Sequence, residues 1–218
     1  MSQLKACLFD LDGVVVDTAQ FHYAAWRQLA NQLGFDLTVE QNEQLKGVSR
    51  MESLDIILKI GNVNLDNDTK HKLAAEKNEH YLALCQQMTP DDVLPGVRTF
   101  MDQLDNASIK VGLGSASKNA RTILKQIDML DRFETIVDGT RITKGKPDPE
   151  TFLLGAQNLG VDPADCVVFE DAVAGIQAAK NGGMVAVGVG DPAVLAGSNL
   201  VITGFEELSL STIQYLFD

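Results

Sequence analysis

A short apolar run near the N-terminus ends abruptly at two carboxylates, and this feature constrains the fold most. Residues 5–9 (KACLF) lead directly into Asp10, and Asp12 and Gly13 follow. A continuous apolar run of this length is typical of a parallel strand buried on both faces. Ligands of such sheets bind beyond the carboxyl ends of the strands. Two carboxylates so close together either bind a divalent cation or have different pKa values, so that each takes a different chemical role. A pair of solvated turn acids is the alternative.

The chain beyond residue 95 alternates between predicted helices and predicted strands. Its spacing of apolar residues predicts helices at 97–104, 119–127, 150–159 and 173–180, and strands at 109–113, 135–137, 166–169, 185–189 and 200–202. Strands that alternate with helices form right-handed βαβ units. We therefore predict an α/β fold with a doubly wound, Rossmann-like parallel sheet.

The segment between the first strand and this alternating region is predicted to be entirely helical. Capping-box patterns begin at Thr38 and Ser49, and a longer helix is expected over 66–88. Because this helical block separates the first strand from the others, we predict an inserted helical cap domain. Its predicted extent is residues 17–89, and the core domain comprises 1–16 and 90–218.

Charge and composition exclude several classes of partner. The 218 residues carry a net charge of −12, which would repel nucleic acid and anionic membranes. No apolar stretch is long enough to span a bilayer, and the chain reaches its first strand without a signal peptide. We therefore expect a cytoplasmic monomer. The three cysteines, Cys7, Cys85 and Cys166, are expected to be buried, reduced thiols.

Polar residues also follow three other predicted strands or turns. Residues 111–119 (VGLGSASKN) run from a strand into a helix N-terminus, which favours an anion. Lys146 lies in a turn just before a helix, and the strand 166–169 ends at Glu170 and Asp171. Each feature has a simpler interpretation as a capped helix, a turn lysine or turn acids.

Taken together, these motifs resemble the haloacid-dehalogenase superfamily of aspartate-nucleophile phosphotransferases, in the order typical of that family. The resemblance implies that Asp10 is the nucleophile that becomes an aspartyl phosphate. It implies that Asp12 is the general acid/base, and that Ser115 and Lys146 bind the phosphoryl group. A carboxylate attacks phosphorus only when the repulsion between the two anions is neutralised.

The same resemblance implies a magnesium site. Glu170 and Asp171 would bind the ion together with the Asp10 carboxylate and the backbone carbonyl of Asp12. An octahedral set of oxygen ligands suits Mg²⁺. Ala172 stands where many relatives carry a serine, so the resemblance does not extend to that side chain.

The helical block resembles the cap of the hexose-phosphate mutases in this superfamily. That resemblance implies a substrate-binding set made of Thr18, His22, Trp26, Gly47, Val48, Ser49, Arg50, Lys77, Ala116, Ser117, Lys118 and Asn119. The arginine would hold the phosphate that lies far from the nucleophile. The implied reaction interconverts β-glucose 1-phosphate and glucose 6-phosphate through an aspartyl phosphate and glucose 1,6-bisphosphate, which also serves as activator.

Some of these residues have other interpretations. His22 could be a structural histidine at an interface, with its hydrogen bonds made within the protein. Trp26 could either pack in the protein interior or lie next to the sugar. Lys77 falls within an apolar stripe of its predicted helix. A charged side chain at such a position is more compatible with a cleft that closes than with a packed core. Arg50 follows a helix N-cap, an unfavourable place for a cation unless an anion binds there.

Two other functions fit the same motifs. A sugar-phosphate phosphatase would use the same four motifs and transfer the phosphoryl group to water. A non-catalytic phosphosugar-binding protein is the third hypothesis, although every motif carboxylate and Lys146 are retained.

Overall fold

Six parallel strands form the central sheet. The computed structural model describes residues 3–217. The strands are β1 (Ala6–Phe9), β2 (Lys110–Gly114), β3 (Thr135–Val137), β4 (Cys166–Glu170), β5 (Val185–Val189) and β6 (Leu200–Ile202). Their order is β3-β2-β1-β4-β5-β6, and every pair is parallel. The direction of winding reverses between β1 and β4, where doubly wound sheets bind ligands. The predicted fold class is confirmed.

Nine α-helices accompany the sheet in the described part of the chain. They are α1 (Ala19–Gln32), α2 (Val39–Asn42), α3 (Arg50–Ile60), α4 (Asn67–Cys85), α5 (Val97–Asn106), α6 (Ala120–Gln126), α7 (Glu150–Leu159), α8 (Val173–Asn181) and α9 (Leu210–Gln214). The capping boxes predicted at Thr38 and Ser49 are confirmed. Helix α4 ends three residues before the predicted end at 88, because the chain turns toward the core there and buries Met88.

Helices α1 to α4 form a block with its own hydrophobic cluster. The fully buried members of this cluster include Leu54 and Ile57 of α3, with Trp26 of α1 nearly as buried. The chain enters and leaves the block side by side, since Leu94 donates a backbone hydrogen bond to the Val15 carbonyl at 2.9 Å. This arrangement is what an inserted cap domain requires, and the limits 17–89 stay a prediction.

The strand register brings three chemically important chain segments to one edge. Phe9 pairs with Leu113 of β2 and with Phe169 of β4, so the residues that follow them emerge together. Beneath this edge the Phe9 and Phe169 rings stack at 4.8 Å, and Phe100 lies edge-on to both. A packed aromatic cluster supports the edge from below.

Two further sequence predictions concern thiols and membranes. Cys7, Cys85 and Cys166 are all free and buried, as predicted. None of the helices within residues 3–217 has the length and apolarity needed to cross a bilayer.

Candidate active site

A buried ammonium group lies between two carboxylates at the carboxyl edge of the sheet. Lys146 Nζ donates hydrogen bonds to Asp10 Oδ1 at 2.6 Å and to Glu170 Oε2 at 2.7 Å. Asp10 follows β1, Glu170 ends β4, and Lys146 comes from the loop before α7. The exposed fractions are 1% for Lys146, 5% for Asp10 and 0% for Glu170. Buried charges of this kind are tolerated only when they are paired.

The charge state of this group follows from its neighbours. Burial opposes the ammonium form, but the carboxylates of Asp10 and Glu170 outweigh burial and raise the pKa of Lys146. The lysine is therefore a cation at neutral pH. A cation fixed beside Asp10 can neutralise part of the charge on an incoming phosphoryl group.

Asp12 points away from this group and toward the first helix. The Thr18 hydroxyl donates a hydrogen bond to Asp12 Oδ1, and His22 Nε2 lies 3.8 Å from the same oxygen. Burial, and next the negative charge of Asp10, raise the pKa of Asp12 to about 6. A carboxyl group with a pKa near neutrality can both give and accept a proton at physiological pH.

Three carboxylates converge where a metal ion could bind. Oxygen atoms of Asp10, Glu170 and Asp171 all lie within 4.8 Å of one another. Burial and then the charge of Asp10 raise the pKa of both Glu170 and Asp171, so a cation there would relieve a real repulsion. An all-oxygen donor set suits Mg²⁺. The backbone amide of Ala172 also donates to Glu170 at 3.1 Å, which orients this carboxylate without a serine side chain.

A glycine next to this cluster leaves room for it. Gly13 has φ = +79°, and a Cβ atom there would lie 2.4 Å from Asp171 Oδ2. The position therefore requires glycine for two reasons: its backbone conformation and the close approach of Asp171.

The loop from β2 to α6 is ordered by its own hydroxyl groups. The Ser117 amide donates to Ser115 Oγ at 3.1 Å, and the Asn119 amide donates to Ser117 Oγ at 3.2 Å. Ser115 is buried at the strand end, whereas Lys118 is exposed. The loop thus extends from the buried carboxylates toward the cap.

The cap contributes the basic side chains of Arg50 and Lys77 to the same site. Lys77 Nζ lies 3.0 Å from His22 Nδ1 and 4.3 Å from the centre of the Trp26 ring. Burial, followed by the nearby positive charge of Arg50, lowers the pKa of Lys77 to about 7. Burial lowers the pKa of Arg50 as well. No carboxylate within residues 3–217 forms an ion pair with Arg50 or Lys77.

A cavity of about 590 Å³ is lined both by residues of the core strand ends and by residues of the cap. Most residues singled out from the sequence line it: Asp10, Asp12, His22, Trp26, Gly47, Val48, Ser49, Arg50, Lys77, Ser115, Ala116, Ser117, Lys118, Asn119 and Asp171. Since these residues come from six separate chain segments, the fold brings them together around one cavity.

Comparison with known proteins agrees with this geometry. Residues 4–183 match the family model described as haloacid dehalogenase-like hydrolase. The chain belongs to the haloacid dehalogenase-like hydrolase family. A β-phosphoglucomutase from Bacillus subtilis (strain 168) is 45% identical over 213 residues, which cover 97% of this chain and 94% of that protein. The crystal structure of a β-phosphoglucomutase from Clostridium difficile has a TM-score of 0.95 and 42% identity, covering 98% of this chain and 97% of that one.

The chain is also similar to a protein that is named as a phosphatase. A fructose-1-phosphate phosphatase from Escherichia coli (strain K12) is 36% identical over 184 residues, covering 84% of this chain and 94% of that protein. The chain is thus similar both to proteins named as mutases and to a protein named as a phosphatase.

Three sequence-predicted residues do not line the cavity. Lys146 and Glu170 are almost fully buried next to Asp10, which does line the cavity. Thr18, which the resemblance implies is a substrate-binding residue, does not line the cavity either. Its side chain is fully buried and its hydroxyl donates a hydrogen bond to Asp12 Oδ1, a contact that can orient this carboxyl group.

Sequence reasoning missed Asn78 and gave no role in the site to Lys46. Asn78 lines the cavity and accepts a hydrogen bond from Asn119 across the cleft. Lys46 Nζ lies 3.8 Å from Asp171 Oδ2. The position of Asn78 next to Lys77 was the available signal, since both belong to the same turn of α4.

Proposed function

We propose that this chain is a magnesium-dependent β-phosphoglucomutase. It interconverts β-glucose 1-phosphate and glucose 6-phosphate through an aspartyl phosphate and a glucose 1,6-bisphosphate intermediate. The proposal is supported by the similarity to the two β-phosphoglucomutases described above and by the chemistry of the cavity.

Asp10 is the proposed nucleophile. One of its carboxylate oxygens forms a bond to phosphorus while the bond from phosphorus to the donor oxygen breaks, which leaves a phosphoryl group on Asp10. Lys146 at 2.6 Å reduces the repulsion between the carboxylate and the phosphoryl oxygens. The buried hydroxyl of Ser115 is the proposed ligand of the same group.

Asp12 is the proposed acid and base. When the phosphoryl group moves to Asp10, Asp12 gives its proton to the departing sugar oxygen. When it returns to a sugar hydroxyl, Asp12 removes the proton of that hydroxyl. Its raised pKa, about 6, suits both directions. The hydrogen bond from Thr18 fixes the orientation of the carboxyl group.

Asp10, Glu170 and Asp171, with the Asp12 carbonyl, are the proposed magnesium ligands. A bound Mg²⁺ would neutralise negative charge on the phosphoryl group during transfer. The close carboxylate cluster supports this assignment.

The observation that carries the choice of a mutase is that two basic side chains of the cap, Arg50 and Lys77, line the same cavity as Asp10. Neither forms an ion pair with a carboxylate of residues 3–217, and an anion bound there would favour the protonated form of Lys77, whose pKa is about 7. A sugar bisphosphate has one phosphate for the Asp10 side and another for these cations. Its two ends must exchange places during the reaction, and two anion sites in one cavity accommodate either orientation.

A sugar-phosphate phosphatase is the second candidate. The similarity to the E. coli fructose-1-phosphate phosphatase favours it, because the core carboxylates serve hydrolysis equally well. In that case water would take the phosphoryl group from Asp10.

One assay separates the two functions. The enzyme is incubated with β-glucose 1-phosphate, Mg²⁺ and a trace of glucose 1,6-bisphosphate, and glucose 6-phosphate and free phosphate are followed in the same tube. We expect fast formation of glucose 6-phosphate with little free phosphate, and no product with Asp10→Asn. Free phosphate without glucose 6-phosphate would identify a phosphatase. The same assay without the bisphosphate tests its proposed role as activator.

The remaining proposals concern organisation. Residues 17–89 would form the cap domain, and 1–16 with 90–218 the core domain. A cytoplasmic, monomeric enzyme is in keeping with the net charge of −12.

A further inference from the structure

Two asparagine side chains join the cap to the core across the cavity. Asn119 Nδ2 donates a hydrogen bond of 2.7 Å to Asn78 Oδ1, although 41 positions separate the residues in the chain. Asn78 lies on α4 of the cap, and Asn119 lies at the start of α6 in the core. Both residues line the cavity. The bond therefore spans the cleft that a substrate must enter.

The Asn119 side chain is diverted from its usual local role. Asparagine at a helix N-cap commonly accepts a hydrogen bond from the first turn of its own helix. Asn119 occupies the N-cap of α6 but makes no side-chain capping bond, and its amide group reaches Asn78 instead. The bond across the cleft thus replaces a local interaction that this residue type would otherwise make.

Asn119 is also connected to the reacting end of the cavity. Its backbone amide donates to Ser117 Oγ, and the Ser117 amide donates to Ser115 Oγ. Ser115 is buried and lines the same cavity as Asp10 and Asp12. Through these bonds, the cap residue Asn78 contacts a loop whose other end reaches the proposed phosphoryl site.

We propose that Asn78 is a positioning residue that holds the Asn119 amide in place and stabilises the closed cleft. The inference rests on the proposed function, because it assigns Asn119 to the substrate. The Asn78–Asn119 bond forms only when the cap lies against the core. It therefore stabilises the closed arrangement, which binds sugar phosphate and excludes water, and not an open one.

Loss of this bond has a defined consequence. A neutral hydrogen bond contributes about 1 kcal/mol, equivalent to roughly a fivefold change in an equilibrium constant. Asn78→Ala should therefore raise the Kd for β-glucose 1-phosphate roughly fivefold. In turnover, KM should rise more than kcat falls, and the ratio of free phosphate to glucose 6-phosphate should increase as water gains access.

Binding is measured without turnover in an Asp10→Asn background. Trp26 is the single tryptophan of the chain and lines the cavity, so its fluorescence reports on β-glucose 1-phosphate added with Mg²⁺. The measurement is made for Asn78→Ala, Asn119→Ala and the double variant. Glu79→Ala, on the exposed side of α4, is the matched control and should bind like the parent.

The double variant distinguishes a specific bond from general damage to α4. We expect Asn78→Ala to weaken binding when Asn119 is present and to have no further effect when Asn119 is alanine. An equal loss in both backgrounds would overturn the proposal, and so would unchanged binding in Asn78→Ala. Because binding is read directly, a wild-type enzyme that released only free phosphate would refute the mutase and leave this test intact.

Discussion

Lys146 Nζ lies 2.6 Å from Asp10 Oδ1, although 136 positions separate the two residues in the chain. The same ammonium group lies 2.7 Å from Glu170, so one cation is shared by the proposed nucleophile and a proposed metal ligand. All three groups are almost completely buried. Their interactions are little screened by water, and removing one charge should affect both stability and chemistry.

Replacing Lys146 by methionine should abolish measurable formation of glucose 6-phosphate. Without the metal, it should also lower the free energy of unfolding by about 3 kcal/mol, because two buried carboxylates lose their cation. Urea unfolding in the presence of a chelator measures this loss. Lys125→Met, at an exposed position of α6, should change stability by less than about 0.5 kcal/mol. Equal stability of the two variants would contradict the buried pairing.

Thr18→Val should slow turnover without weakening substrate binding. The substitution removes the hydroxyl that donates to Asp12, and Thr18 does not line the cavity. A hydrogen bond to a charged group is worth about 1.5–3 kcal/mol, so kcat should fall by at least roughly tenfold while KM stays nearly constant. Steady-state kinetics tests this, with exposed Thr122→Val as control. A rise in KM alone would instead support the predicted role of Thr18 in substrate binding.

Arg50→Ala should impair the mutase reaction more than simple phosphate-ester hydrolysis. Only a bisphosphate needs the cap cation, whereas a small aryl phosphate needs the core carboxylates alone. Rates with β-glucose 1-phosphate and with p-nitrophenyl phosphate are compared, and Lys59→Ala at the exposed end of α3 serves as control. Equal losses with the two substrates would argue against a role for Arg50 with the second phosphate.

Lys77 should make the free energy of unfolding depend on pH between about 7 and 10.5. Its pKa is about 7 in the folded chain and 10.5 ordinarily, so the unfolded chain binds more protons between these values. The free energy of unfolding therefore gains a contribution that rises with pH across this window, by at most about 1.4 kcal/mol per pH unit.

Denaturant unfolding between pH 7 and 10 measures this contribution. Lys77→Met should be more stable than the wild type at pH 7 and should lose this part of the slope. Lys72→Met, at an exposed site on the same helix, should keep it. An unchanged slope in Lys77→Met would show that another group is responsible.

Gly13→Ala should weaken magnesium binding. The added Cβ would lie 2.4 Å from Asp171 Oδ2 and must displace this carboxylate. Gly183→Ala is a closely matched control, because Gly183 has a similar φ of +74° but nothing within 4 Å of the added atom. Both variants should lose about 1 kcal/mol or more of stability from backbone strain. Only Gly13→Ala should raise the Kd for Mg²⁺ in calorimetric titration, and equal affinities would contradict the close packing.

The local patterns of the sequence predicted the elements well. The strands 135–137, 185–189 and 200–202 and the helix 150–159 begin and end at the predicted residues. These elements depend on the spacing of apolar residues and on caps, which are properties of neighbouring positions. The resemblance of the strand-end motifs to a known family supplied the site residues, and most of them line one cavity.

Local sequence patterns were enough to predict the parallel sheet, the helical block and the carboxylates at the strand ends. Contacts between particular side chains emerged only in the folded protein: Thr18 donates to Asp12, Lys146 lies between Asp10 and Glu170, and Asn78 meets Asn119. The difference lies in the sequence distance over which each kind of structure is encoded. Secondary structure is encoded within a few residues, whereas these contacts depend on strand order and on how the cap packs against the core.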